Sequence, residues 1–266
     1  MIGCRSYTLK NADKMPVRLK KILYTTNLKD PAYNALEGLL EIKKIGLEEI
    51  VLLSISLPKE LKGKFHDNGI NLRELNGPGP FITKTLDSAS KENVSLIACH
   101  LEREDKTLFG SSPVKQLVKN THLPILFINN KDLNTSGKGI FDTVIFATDW
   151  SQIVQNALDY ILGLKEIIGV LDIVNVLNQK PTIKDIRLLK DKTEEIRKIC
   201  LKENIDAESH IYAGKTAEEI LLAAKEYYAT VIIMGAGSKN HVKGMFSGSV
   251  TCEVAERSPV PVLVVP

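Results

Sequence analysis

At roughly 150 residues per domain, a chain of 266 residues suggests about two domains. Lysine and arginine total 35 against 32 acidic residues, and the resulting +3 is too near neutrality to make nucleic acid the main partner. With 44% hydrophobic and 25% charged residues the composition is globular, and no run reaches the roughly 18 apolar residues of a membrane helix.

Residues 1–18 read as an N-terminal extension without the apolar stretch of a secretory signal. Cys4, Cys99, Cys200 and Cys252 are scattered, with no CxxC pair and no histidine at ligand spacing. Such lone thiols point to a reducing compartment, so a cytoplasmic protein without disulfides or zinc is expected. From there the chain repeats itself. KILYTTNLKDPAYNALE, beginning at Lys21, aligns without a gap with TVIFATDWSQIVQNALD, beginning at Thr143, at an offset of 122. LPILFI from Leu123 matches VPVLVV from Val260, and Gly110-Ser111 matches Gly248-Ser249, at offsets of 137 to 138. The first copy is therefore the shorter, and most of its deficit falls between Pro58 and Ile70. So long a period means duplication of a whole domain rather than a solenoid. The expected division is 19–130 and 140–266, joined by the polar linker 131–139.

Each copy alternates strand and helix patterns. In the second, TVIFATD is a strand and an amphipathic helix follows from Ser151 to Leu164. VLDIVNVL from Val170 is the next strand. Apolar residues at helical spacing from Ile183 to Cys200 then predict a long helix. AESHIYA from Ala207 alternates as a strand, and Thr216 with Glu219 reads as a capping box opening a helix that ends near Tyr228. TVIIM from Thr230 is a strand covered on both faces, followed by a loop, a helix from Ser249 to Arg257, and VPVLVV. The order βαβαβαβαβ predicts two tandem α/β domains, each a doubly wound parallel sheet with right-handed crossovers. Each final strand carries a proline and is read as an edge, and the two edges are expected to meet across a pseudo-twofold.

The loop Met234 to Val250, MGAGSKNHVKGMFSGSV, leaves the carboxyl end of a buried strand, where open α/β sheets place ligands. It ends at a helix whose free amides and positive dipole favour phosphate. Gly235 and Gly237 allow close backbone approach, Gly248 frees the turn before the helix, and Ser249 adds a hydroxyl. Lys239 and Lys243 add charge, with less certain contribution because their side chains are flexible.

Gly235-x-x-Ser238, nine residues, then Gly248-Ser249 resembles the nucleotide loop of the universal stress proteins, a UspA-like family. Ala147-Thr148-Asp149 resembles that family's first strand end, where the aspartate faces adenosine. Val174-Asn175-Val176 resembles the second, where the valine backbone pairs with adenine, and the stretch from Ala213 to Leu221 resembles the third-strand loop. The resemblance covers nearly all of 140–266 and, more loosely, 19–129. It implies a tandem, pseudo-dimeric member with a Rossmann-like, adenine nucleotide alpha-hydrolase-like fold. It also implies ATP or AMP as ligand, with Mg2+ as an optional companion, and homodimerisation of the whole chain as an option. Ala147, Thr148, Asp149, Val176, Ala213, Gly235, Gly237, Ser238, Gly248, Ser249 and Val250 would form the site. Ser238 departs from the family pattern, which has glycine there.

The first copy lacks this equipment. Asn27 stands at the position of Asp149, and Cys99-His100-Leu101-Glu102-Arg103 replaces Met234 to Ser238, so a structural or regulatory role without nucleotide is expected there. The competing reading of the second loop is a glycine-rich turn in an interaction module that binds no nucleotide. Gly214-Lys215-Thr216 mimics a Walker A tail, but Ser209 stands where its first glycine belongs. His66, His100, His122 and His210 show no metal-ligand spacing, His241 reads as a solvated loop residue, and Cys252 as a buried apolar one. No Gly-x-Ser-x-Gly elbow or catalytic triad is visible, so no catalytic residue is assigned, and slow ATP hydrolysis stays open as a weaker alternative.

Overall fold

Short runs rich in isoleucine, leucine and valine become the ten strands found among the described residues, because such side chains pack well on a pleated surface. The structure, a computed structural model, describes residues 18–28, 33–101, 112–128, 139–149, 152–177, 182–236 and 249–266. The first copy contains β1 (Lys21–Thr26), β2 (Glu49–Leu53), β3 (Asn71–Leu75), β4 (Leu96–His100) and β5 (Ile125–Ile128). Its helices are α1 (Asn34–Glu37), running into a 3-10 turn (Gly38–Ile45), α2 (Lys59–Asp67), α3 (Phe81–Lys91) and α4 (Pro113–Asn120). The second contains β6 (Thr143–Ala147), β7 (Val170–Leu177), β8 (Asp206–Ala213), β9 (Val231–Gly235) and β10 (Val262–Val265). Its helices are α5 (Gln152–Gly163), α6 (Ile183–Lys202), α7 (Thr216–Glu226) and α8 (Ser249–Arg257). The length difference between the copies lies where the sequence locates it, with α2 at 9 residues against 20 in α6.

All ten strands join one sheet in the order β3-β2-β1-β4-β5-β10-β9-β6-β7-β8. Each half is parallel and doubly wound, and the halves are mirror arrangements about the β5–β10 pair. That pair is antiparallel, with Leu126 opposite Leu263 at its centre. The two proline-bearing strands therefore meet as expected, and the prolines explain how. Pro124 and Pro261 stand just ahead of the ladder, where no N–H is needed, while their carbonyls accept from Ile97 (3.0 Å) and Ile232 (2.9 Å).

Helices cover both faces, and each of the two apolar layers runs through the joint. Leu126, Ile128, Leu263 and Val265 belong to one layer, and Ile125, Phe127, Val262 and Val264 to the other. A further tie joins the halves at the start of β6. The Glu41 carboxylate accepts from the Phe141 N–H (3.2 Å), and a side chain on Gly38 would press into Ile140.

One local expectation fails. Thr216 does not cap α7: Lys215 is the N-cap, without a side-chain cap bond, and Thr216 is already helical. The Gly214 N–H remains bonded to Leu177 O (3.0 Å), continuing the strand ladder. The turn into the helix thus falls on Lys215, one residue earlier than a Thr216–Glu219 capping box requires.

Candidate functional site

Four parallel strands of the second half, β6 to β9, end along one edge of the sheet. Ala147, Val176, Ala213 and Gly235 stand at or beside those ends, with Ala147 opposite Val174 and Met234, and Leu177 opposite Ala213. From β6 the chain winds outward through β7 and β8, then crosses back to β9 and β10. The reversal opens a crevice between the ends of β6 and β9, the position at which doubly wound sheets hold ligands.

Hydrogen bonds fix the walls of this crevice. The Thr148 N–H donates to Val174 O (2.9 Å), and the buried Asn175 amide donates to Thr148 O (2.7 Å). The chain leaving β6 is thereby held against β7, and the next residue, Asp149, is exposed. Across the crevice the Ala236 N–H donates to Val265 O (2.7 Å), and the Thr251 hydroxyl donates to Gly235 O (3.0 Å). Ser249 opens α8, so the helix's free amides stand beside the end of β9. Val176 and Val250 pack partly buried on the apolar layer beneath. Of the residues singled out in the sequence, these elements bring together Ala147, Thr148, Asp149, Val176, Ala213, Gly235, Ser249 and Val250. Gly237, Ser238 and Gly248 lie outside the described residues, as does His241.

The corresponding reversal in the first half lies between β1 and β4, where Thr26 is opposite His100. His100 occupies the position of Gly235 and is fully buried, its Nδ1 hydrogen-bonded to Tyr24 Oη at 3.0 Å. A buried imidazole thus stands where the second half has a glycine. The neighbouring Cys99 is also buried, and desolvation raises its pKa far above the ordinary thiol value. Cys252 in α8 is buried too, its thiol pushed up to about 11 by desolvation. It is thus a packing residue rather than a nucleophile.

Comparison with known proteins agrees with this architecture. The universal stress protein family model matches residues 141–266. This half of the chain belongs to the universal stress protein family. The Bacillus subtilis (strain 168) stress response protein NhaX is 28% identical over 101 residues, 36% of this chain. The match spans 61% of NhaX's own length. A universal stress protein of Archaeoglobus fulgidus DSM 4304 superposes with a TM-score of 0.70 at 26% identity, over 94% of this chain and 97% of its own. Another, from Archaeoglobus fulgidus in complex with dAMP, aligns with 48% of this chain and 99% of its own at 20% identity, TM-score 0.39. Over 94% of its length the chain therefore has the fold of the first of these universal stress proteins.

Within the universal stress protein half, the structure also gathers residues that the sequence reading sets aside. Asp172 of β7 and Glu208 and His210 of β8 bring their ligand atoms within 4.8 Å of one another. In the sequence no neighbour of His210 stands at metal-ligand spacing. Glu208-x-His210 places two side chains on one strand face, a faint signal, but the third member comes from another strand. Among the described residues no helix is long and apolar enough to cross a membrane.

Proposed function

We propose that the second half binds an adenine nucleotide, ATP or AMP, in the crevice between β6 and β9, and that the protein acts as a nucleotide-responsive regulator in the cytoplasm. The observation that carries this reading is convergence. The ends of β6, β7, β8 and β9 and the first turn of α8 frame one crevice, and β9 ends and α8 begins there. Asp149, exposed at its rim, meets the nucleoside. Val176 offers its backbone to adenine, and Ala147, Thr148 and Ala213 line the approach. Gly235, Gly237, Ser238, Gly248, Ser249 and Val250 surround the phosphates, where the α8 dipole stabilises negative charge. Mg2+ accompanies a bound triphosphate.

The same reading divides the chain into an extension (1–18), a first domain (19–130), a linker (131–139) and a second domain (140–266). The first domain is structural or regulatory, because a buried histidine, His100, hydrogen-bonded to Tyr24, stands there in place of the loop's first glycine.

Calorimetry and thermal unfolding with ATP, with AMP and without nucleotide test the proposal. Saturable binding is expected, with about 2.7 kcal/mol of stabilisation when ligand is at 100 times Kd. Gly248→Val should abolish it, since a branched side chain obstructs the turn into α8. An unchanged melting curve with both nucleotides would favour the interaction module instead.

A further inference from the structure

The Asp172–Glu208–His210 cluster lies away from the nucleotide crevice. Asp172 is the third residue of β7 and pairs in register with Glu208, the third of β8, whereas the crevice lies at the strands' carboxyl ends. His210 Nε2 is 2.8 Å from Asp172 Oδ1. Its other ring nitrogen, Nδ1, is 3.1 Å from the Tyr227 hydroxyl, and the two rings stack with centroids 4.4 Å apart. Asp172 is buried, His210 half-buried and Glu208 exposed, so the cluster has an inner wall and an opening to solvent.

The duplicated fold supplies an internal comparison. In the first half the same register positions hold Val51 for Asp172, Arg73 for Glu208 and Leu75 for His210. The fold therefore does not require a polar trio at this place. The C-cap residues of the two 11-residue helices, α3 and α7, correspond as well: Glu92 in one half and Tyr227 in the other. In the first half Arg73 bonds Glu92 and Glu49 (3.0 Å to the latter), and Lys21 reaches the same two carboxylates at 3.0 and 3.1 Å. There, the protein provides its own cations. In the second half the arginine position is a glutamate. Among the described residues neither Asp172 nor Glu208 is salt-bridged to a lysine or arginine. Glu226, at the end of α7, accepts from the Tyr212 hydroxyl at 2.6 Å.

We propose that Asp172, Glu208 and His210 bind a divalent transition-metal ion, with Tyr227 orienting the histidine. Two carboxylate oxygens and one imidazole nitrogen form a donor set suited to Zn2+, Mn2+ or Co2+. The ion takes Nε2, and Nδ1–H then donates to the Tyr227 oxygen, the outer hydrogen bond that metal-bound histidines commonly make. The α7 carboxyl end carries a negative dipole pole, which favours a cation on the same side. The open side at Glu208 leaves room for water to complete the coordination.

Titration of the chelator-treated full chain with Co2+ alone, without nucleotide, tests this, the visible d–d absorption of the ion being the readout. One saturating site per chain is expected, displaced by Zn2+. Glu208→Ala changes an exposed carboxylate and leaves the fold intact, and it should weaken binding more than about tenfold. His210→Ala should remove the site. Tyr227→Phe keeps the ring stack and should lower affinity about tenfold to a hundredfold, as loss of an outer-shell partner does. Absence of saturable absorption, or binding unchanged in both Glu208→Ala and His210→Ala, would overturn the proposal.

Discussion

Glu41 shows how much one side chain's surroundings can matter. It lies in the 3-10 turn of the first half and accepts from the backbone that opens the second. Desolvation raises its carboxyl from an ordinary 4.5 to about 7, against the opposing pull of the Ile140 and Phe141 N–H groups. The folded protein therefore holds this proton more tightly than the unfolded chain. The stability that this group contributes is fully present below about pH 4.5, declines between there and pH 7, and is lost above. Urea unfolding should show the wild type weakening between pH 5 and pH 8, and Glu41→Gln should flatten that slope. Parallel slopes for the two proteins would contradict the assignment. His100 makes a related point. In the sequence it is one histidine without a metal pattern, and in the fold it is a buried residue at the end of β4, hydrogen-bonded to a tyrosine 76 positions away.

Among the elements, the second half was the more legible. Val170–Leu177 and Ser249–Arg257 coincide with their expected limits, because each has an uninterrupted pattern with a clear boundary. The capping box at Thr216 did not hold, since the strand ladder continued through Gly214 and shifted the turn. Close approaches between elements are equally invisible to periodicity. Gly169, just before β7, donates to Phe141 O (3.1 Å), and a Cβ there would overlap the Asp142 carbonyl oxygen. The obstruction is backbone, which cannot swing aside. Gly169→Ala should therefore cost about 1–3 kcal/mol in chemical denaturation, as overpacking does. A neutral effect would mean that β6 and β7 can separate there without penalty.

For the whole molecule, the β5–β10 joint decides how the two copies behave. Its eight strand residues are buried, and both apolar layers pass through it without a break. The halves should therefore unfold together. Leu126→Ala, at the centre of the joint, should destabilise by about 2–5 kcal/mol. Calorimetry should show one transition moving down as a unit; two separate peaks in the wild type would refute the coupling.

The amino-acid sequence alone determined the duplication, the alternation of strand and helix, the meeting of the two proline strands and the glycine-bearing loop of the second copy. These are local or periodic features, and translation along the chain reveals them. The tertiary structure alone decided that Glu41 bonds the backbone just before β6, that His100 is buried against Tyr24, and that Asp172 meets His210 across 38 positions. The physical reason is the parallel sheet, whose neighbouring strands are separated by whole helices. Side chains that meet across neighbouring strands on one sheet face therefore come from distant segments, and only the register brings them together.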